Sequence, residues 1–217
     1  MAMLILRTAI LALCLFTLFV ASLTAGGGDE PKRITANEAK EIVRLHLKLP
    51  KEREFPLKEL TTDAVWMKLK SQVFRVEWSA ALPTHAAVAI KDGKAIPIGQ
   101  DFGGKGVNSI CAADLNGKPH LVFSYSWGSG IHRSQVGALD PFAKEPKAIT
   151  AAQSLVLDFK HDWSVCAIDA KTVRVEGGGI SFGDLELTEN DGVRKLNIRV
   201  AADLPENVRK NIKTSEK

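Results

Sequence analysis

The chain has few cysteines and histidines, the usual ligands of zinc, and its charge is nearly balanced. It contains 3 cysteines and 5 histidines in 217 residues, and the histidines lie in separate segments without HxH or HxxxH spacing. A zinc site would therefore require the fold to bring them together. The formal net charge is only +4, without long runs of one sign. This pattern argues against nucleic acid as a partner.

Long apolar runs are also scarce, and the one that occurs lies at the N-terminus. Arg7 precedes an apolar stretch over 8–20, which is followed by small residues and by three glycines at 26–28. This pattern predicts a cleaved export signal over 1–25, and hence a secreted or periplasmic protein. The alternative is an uncleaved anchor, because the stretch is about as long as the shortest membrane spans. No other contact with a membrane is predicted.

Two cysteines, Cys111 and Cys166, remain after the predicted cleavage. An oxidising compartment would allow them to pair. Such a bridge would close a loop of about 55 residues and stabilise the fold by ~4 kcal/mol. The alternative is two separate buried thiols, which behave as small hydrophobic side chains.

The rest of the chain predicts a mainly β (α+β) fold: an antiparallel meander or sandwich with an N-terminal helix and a short C-terminal helix. Thr35 and Glu38 form a capping-box pattern, and Pro50 ends the helix that follows, with His46 expected on its buried face. A second cap pattern at 203–206 predicts the closing helix. Asp-Gly and Asn-Gly pairs separate short runs rich in Val, Ile, Phe and Trp. Strands are predicted near 63–70, 72–78, 84–91, 94–98, 107–115, 118–127, 131–139, 153–159, 163–168, 171–176, 180–188 and 193–200.

These elements predict a single β-rich domain over 34–213. A flexible linker over 26–33 would precede it, and a disordered tail over 214–217 would follow.

The segment 113–123, Ala-Asp-Leu-Asn-Gly-Lys-Pro-His-Leu-Val-Phe, resembles one hairpin of the FG-GAP or VCBS type repeat. That resemblance implies a calcium loop with spaced oxygen ligands. Asp114 and Asn116 are retained here, but His120 stands where the final Asp of the repeat would be. Calcium is thus the one cofactor that the sequence raises, although its expected ligand set is incomplete and the preferred interpretation is a tight turn without a cofactor.

The next segment, 124–134, is the richest in unusual side chains. A three-residue loop at 128–130 would place Trp127 opposite Ile131 and Ser126 opposite His132. Tyr125 would then lie under Arg133. One face would carry Phe123, Tyr125 and Trp127, and the other would carry the polar residues Ser124, Ser126, His132 and Ser134.

Three interpretations of this hairpin are open. The aromatic face packs in the core and the polar face is solvated, or the polar face together with Arg133 binds a ligand, or Ser126 and His132 act as nucleophile and base. The last requires an acid to orient the imidazole, and none lies close in sequence.

The expected function is an exported binding or scaffolding domain for a protein or carbohydrate ligand, without catalysis. The alternative is a secreted hydrolase that uses Ser126 with His132, or a metal site assembled from His and Asp side chains.

Overall fold

The computed structural model describes residues 31–77, 79, 85–99, 106–128, 132–156 and 162–214. The predicted export signal, most of the linker and the last residues of the tail lie outside these ranges. Residues Ile34–Lys217 form one compact unit, distinct from Met1–Arg33. Among the described residues, no helix is long and apolar enough to cross a membrane.

Helix α1 spans Ala36–His46 and begins at the predicted capping box. The Glu38 N–H donates to Thr35 Oγ1 over 3.3 Å, and the Thr35 N–H donates to Glu38 Oε2 over 2.7 Å. These bonds satisfy two of the backbone donors that the first turn leaves free.

The buried face of α1 differs from the prediction. His46 is exposed, whereas Arg44 is only 4% exposed. The Arg44 guanidinium donates to the carbonyls of Pro50 and Arg53, both over 2.7 Å, and lies 5.4 Å from the centre of the Phe55 ring. The segment after α1 therefore folds back over Arg44 rather than over His46. An arginine side chain offers those carbonyls more hydrogen-bond donors than a histidine does.

Helix α2 spans Asp63–Leu69, where a strand was predicted over 63–70. Thr62 caps its first turn by accepting from the Val65 N–H over 3.3 Å. Val65 and Leu69, four residues apart, are both fully buried. The cap and the helical spacing outweigh the strand preference of the valine and tryptophan in this short run.

The first sheet is antiparallel, with strand order β1-β2-β3-β4. Its strands are β1 Leu57–Glu59, β2 Gln72–Val76, β3 Ala87–Lys91 and β4 Lys94–Gly99. Helix α1 packs on one face of this sheet through Val43, Phe74 and Val88.

The second sheet has nine strands in the order β5-β6-β7-β8-β12-β11-β10-β9, with β13 pairing β8 outside that path. The pairing of β12 with β8 is parallel, and the others are antiparallel. A short helix α3, Glu206–Arg209, precedes the last strand. The strands are β5 Gly106–Leu115, β6 Lys118–Trp127, β7 Arg133–Leu139, β8 Ile149–Val156, β9 Ser164–Ala167, β10 Val173–Gly177, β11 Ile180–Asn190, β12 Val193–Val200 and β13 Ile212–Thr214.

The predicted fold class, a β-rich α+β protein, is confirmed. Apart from 63–70, every predicted strand overlaps an observed one, while β1 and β13 were not predicted. The three predicted Asp-Gly and Asn-Gly turns have both residues at positive φ, as hairpin turns of two residues require: Asp92-Gly93, Asn116-Gly117 and Asp191-Gly192.

The two ends of the nine-stranded sheet, β5 and β9, lie side by side. The Val165 N–H donates to Ser109 Oγ over 2.8 Å, and the Asp114 N–H donates to the Ala170 carbonyl over 2.7 Å. In both contacts the two partners lie 56 positions apart in the chain. Residue numbers therefore rise in the same direction along the two segments, which run parallel. The sheet therefore curls until its edges meet and encloses a core. That core includes Val122, Val136, Leu155, Trp163, Val175, Phe182, Leu196 and Ile198.

The outer face of the curled sheet packs against the first sheet and α2. Leu121, Phe123 and Leu139 contribute from the curled sheet, and Val65, Val73 and Ile98 contribute from the other side. Strand β6 supplies residues to both clusters, Val122 to one and Phe123 to the other. It is therefore covered on both faces.

Phe123 lies directly opposite Gly137 in the β6–β7 pair. A Cβ atom added at Gly137 would lie 2.3 Å from Phe123 Cζ and 2.6 Å from Cε2. The ring thus crosses the strand at the one place where β7 has no side chain.

Gly137→Ala is expected to lower the free energy of unfolding by about 1–3 kcal/mol, because the new methyl group must displace the Phe123 ring. Adding Phe123→Leu should give a double variant more stable than the sum of the two single costs predicts, because the smaller side chain leaves room for the methyl. Urea unfolding of the three variants measures this coupling. Strictly additive costs would contradict the contact.

Candidate functional site

Four polar side chains meet inside one end of the curled sheet. Asn108 Nδ2 donates to Ser126 Oγ over 2.6 Å, and the Ser126 and Ser134 hydroxyls are 2.9 Å apart. Ser134 Oγ in turn donates to Asp162 Oδ1 over 3.1 Å. Ser126 is fully buried and Ser134 is 2% exposed. The bonds form one continuous chain of donors and acceptors, which we call the serine network.

The hydrogen bonds of the serine network all run in one direction, because each hydroxyl has a single proton to donate. A serine hydroxyl has one proton to donate, and that of Ser134 is given to Asp162. The bond between the two serines must therefore take its proton from Ser126, which accepts in turn from Asn108. Each hydroxyl points toward the Asp162 carboxylate, and bonds that end on a charged acceptor are the stronger ones.

A bulge in β5 brings Asn108 into the network. The β5–β6 register shifts between Val107 and Ser109, which leaves Asn108 as the extra residue. Bulges redirect side chains in this way. Ser109 continues the polar interior, because its Oγ lies 2.8 Å from Ser124 Oγ and also accepts the Val165 N–H.

His132 lies beside the network rather than within the chain of hydroxyls. Its Nε2 is 3.7 Å from Asp162 Oδ1, and its side chain is 3% exposed. The hydroxyl of Ser126 bonds Asn108 and Ser134, not the imidazole. An acid therefore does lie near His132, but no described bond joins the imidazole to Ser126.

The predicted register of the β6–β7 hairpin is wrong by two positions. Ser126 lies opposite Ser134, not His132, and Trp127 lies opposite Arg133, not Ile131. The loop is longer than three residues, since β6 ends at Trp127 and β7 begins at Arg133. A shift of two positions keeps every side chain on its predicted face, so the division into an aromatic and a polar face holds.

The expectation that the polar face is solvated is also wrong. Ser124, Ser126 and Ser134 are 2% exposed or less, and His132 is 4% exposed. Of the five residues predicted to bind a ligand, Arg133 alone is exposed. The curled sheet covers the face that would be solvated in an open one.

Tyr125 packs differently from the prediction. Its hydroxyl donates to Gln135 Oε1 over 2.7 Å, and its ring stacks on Trp127 with centroids 5.3 Å apart. It lies opposite Gln135, not Arg133. Burial raises the pKa of Tyr125 to about 12.

The structure separates the three residues considered for calcium. His120 is 2% exposed and pairs across the hairpin with Ala113 of the enclosed core, whereas Asp114 pairs with Pro119 on the opposite face. Asp114 Oδ1 lies 2.8 Å from Lys68 Nζ. Asn116 occupies the exposed two-residue turn. Among the described residues, no group of three or more His, Cys, Asp or Glu side chains is placed to hold a metal ion.

Cys111 and Cys166 are free thiols, so the predicted disulfide is not present in the structure. They lie on β5 and β9, the edge strands that meet. Burial, and then the proximity of Cys166, raise the pKa of the Cys111 thiol to about 12, although a backbone hydrogen bond from Ala167 opposes the shift. Cys111 therefore remains a protonated, poorly nucleophilic thiol at neutral pH.

The clefts that described residues line lie at the other end of β6, about 30 Å from the network by strand length. Three adjoining clefts of about 590, 570 and 530 Å³ lie around the loop between β7 and β8. We call their lining residues the cleft band. It comprises Lys91, Asp92, Lys94–Pro97, Lys118, Pro119, Asp140–Lys144, Pro146–Thr150, Ala152, Glu189 and Arg194–Asn197.

Sequence reasoning did not place Asn108 and Asp162 at any site. Asn108 reaches Ser126 because of the bulge in β5, and no local sequence pattern marks that bulge. Asp162 follows His161 in a charged stretch that is typical of a turn, and it comes near Ser134 only because β9 closes the sheet. The cleft band carries a signal that could have been found in the sequence: Pro141 and Pro146 bound a short segment that holds Phe142 among charged residues.

Comparison with models of protein families, with curated proteins and with solved structures finds no significant match to this chain.

Ser126→Ala is expected to lower the free energy of unfolding by about 1–3 kcal/mol, because it removes one hydrogen-bond partner from Asn108 and one from the buried hydroxyl of Ser134. Ser181→Ala, at an exposed strand position, is the matched control and should change stability by less than about 0.5 kcal/mol. Urea unfolding compares the two. Equal, negligible costs would show that the network is not formed.

Tyr125 is the single tyrosine of the chain, so alkaline titration followed by tyrosine absorbance reports on it alone. The native midpoint is expected near pH 12, against about 10 for the unfolded chain. Because the folded pKa is raised, the stabilisation is fully present below pH ~10 and is lost as the pH rises toward the folded value. A native midpoint near 10 would contradict the burial of this ring.

Proposed function

We propose that this chain is an exported, non-catalytic binding domain whose ligand contacts the cleft band. The observation that carries the proposal is the contrast between the two ends of β6. The serines that could act as nucleophiles are buried and bonded to one another, whereas the clefts open at the opposite end.

The bonds of Ser126 support a structural role for this residue. A nucleophilic serine needs a base that accepts its proton and room for a substrate next to its oxygen. Ser126 gives its proton to Ser134, and its side chain is fully buried. A hydroxyl in this position stabilises the strand end and offers no reactive oxygen to a substrate.

A secreted hydrolase is the second candidate, and one observation favours it. Asp162 supplies the acid that the sequence did not place near the histidine, and it lies within 3.7 Å of His132 Nε2. The same carboxylate accepts from Ser134. If the end of the sheet opened, Ser134 or Ser126 could exchange its partner for the imidazole.

Export and disulfide formation are part of the proposal. Export is supported by the apolar N-terminal stretch, and pairing is supported by the positions of Cys111 and Cys166 on strands that meet at the sheet edge. A disulfide oxidant of an oxidising compartment would take the two electrons and two protons as the sulfur–sulfur bond forms. The bridge would join the two edges covalently.

The proposal is tested on protein collected after export. Intact mass should show that about 25 N-terminal residues are missing and that the chain is two hydrogens lighter than its dithiol form. A serine-reactive fluorophosphonate should label neither Ser126 nor Ser134, while immobilised polysaccharides and proteins reveal at least one saturable ligand.

Two results would contradict the proposal. Labelling of Ser126 or Ser134, together with ester hydrolysis that is lost in Ser126→Ala or Ser134→Ala, would establish the hydrolase. A mass that retains residues 1–25 in membrane-bound protein would establish the anchored form.

A further inference from the structure

We propose that the cleft band binds an extended anionic polysaccharide, an inference that rests on the binding function proposed above. Three features of the described residues support it: a surplus of cations without ion pairs, a rigid exposed aromatic ring, and clefts that adjoin one another.

The cations of the cleft band outnumber its acids. Seven basic side chains line the clefts, against three acidic ones, Asp92, Asp140 and Glu189. Within the described ranges, none of the seven forms an ion pair, whereas cations elsewhere, such as Lys68 and Arg174, do so. Lys91 Nζ lies 3.4 Å from the Leu69 carbonyl, so the charge that a ligand can use is mainly that of the other six. The seven are Lys91, Lys94, Lys118, Lys144, Lys147, Arg194 and Lys195.

The loop between β7 and β8 presents Phe142 among these cations. The Phe142 N–H donates to Asp140 Oδ1 over 2.9 Å, and Asp140 itself is only 8% exposed. Pro141 and Pro146 restrict the backbone on either side of the ring. Phe142 is nevertheless 51% exposed, and Lys91 Nζ lies 4.3 Å from its ring centre. The loop thus holds a large apolar side chain about half exposed to solvent, with a lysine against its ring.

An aromatic ring set among cations matches the two chemical features of an acidic sugar. The C–H groups of a pyranose carry partial positive charge and pack on the electron-rich face of a ring. Its carboxylate or sulfate groups accept charge-assisted hydrogen bonds from lysine and arginine. Phe142 borders two of the clefts, and Arg194 borders the third together with one of them. A chain of sugars could therefore pass along all three.

The experiment measures dissociation constants at low salt for heparin (sulfated) and polygalacturonate (carboxylated). Neutral dextran, polyglutamate and duplex DNA are the comparison ligands. At least one anionic polysaccharide should bind more tightly than dextran, polyglutamate and DNA, and its binding should weaken as salt is raised.

Substitutions at lysines and at Phe142 distinguish the contribution of the positive charges to binding from that of the aromatic ring. Replacing Lys94, Lys144 and Lys195 by Gln should raise the dissociation constant about tenfold or more. Replacing Lys51, Lys58 and Lys171 by Gln removes the same charge from exposed positions outside the band. This triple variant should leave the dissociation constant unchanged. Phe142→Ala should weaken polysaccharide binding about fivefold and leave polyglutamate binding unchanged. Unaltered thermal unfolding of each variant shows that the fold is retained.

Several outcomes would overturn the inference. Tighter binding of DNA would make nucleic acid the partner, and equal losses in the two lysine triples would show that only net charge matters. Equal binding of dextran or polyglutamate, or no effect of Phe142→Ala, would show that the cleft band does not recognise an acidic sugar. If none of these polyanions binds but another ligand saturates the exported protein, this inference fails while the binding function stands.

Discussion

Strand β6 is buried on both faces, and the rest of the structure is arranged around that constraint. Its odd-numbered residues, such as Phe123, pack toward the first sheet, while its even-numbered residues, such as Val122, face the core of the curled sheet. Phe123 needs the bare backbone of Gly137 on one side. Ser124 and Ser126 need hydrogen-bond partners on the other, because a buried hydroxyl without one costs free energy.

The direct partners of Ser124 and Ser126 lie on the neighbouring strands β5 and β7, and two of those partners, Ser109 and Ser134, are bonded in turn by the far edge of the sheet. Ser109 bonds Ser124 within the β5–β6 pair, but Asp162 and the Val165 N–H come from the far edge of the sheet. The same contacts therefore satisfy the serines and hold the two edges together. Edges that meet also cover each other where they touch, and an open edge strand is the usual route to aggregation of a large sheet.

This arrangement explains what the sequence could and could not predict. The turns at Asp92-Gly93, Asn116-Gly117 and Asp191-Gly192 depend on local backbone preferences, and so does the capping box at Thr35. The alternation along β6 is local too, so its two faces were assigned correctly despite a register error of two positions. The burial of Ser126 depends on β9, which lies some forty residues further along the chain. No local sequence pattern indicates that the edges of the sheet meet. For the same reason the role of Asp162 could not be predicted.

An enclosed polar face on β6 would protect a thiol placed on it from reagents in solution, so the rate at which such a thiol reacts measures whether the face is enclosed. In a chain that begins at residue 26, with Cys111 and Cys166 replaced by Ala, a cysteine introduced by Ser126→Cys is compared with one introduced by Arg133→Cys at an exposed strand position. The Arg133→Cys thiol should react at once with a thiol reagent. The Ser126→Cys thiol should react only as fast as the protein unfolds. Equal, rapid reaction at both positions would show that the polar face of β6 is open to solvent.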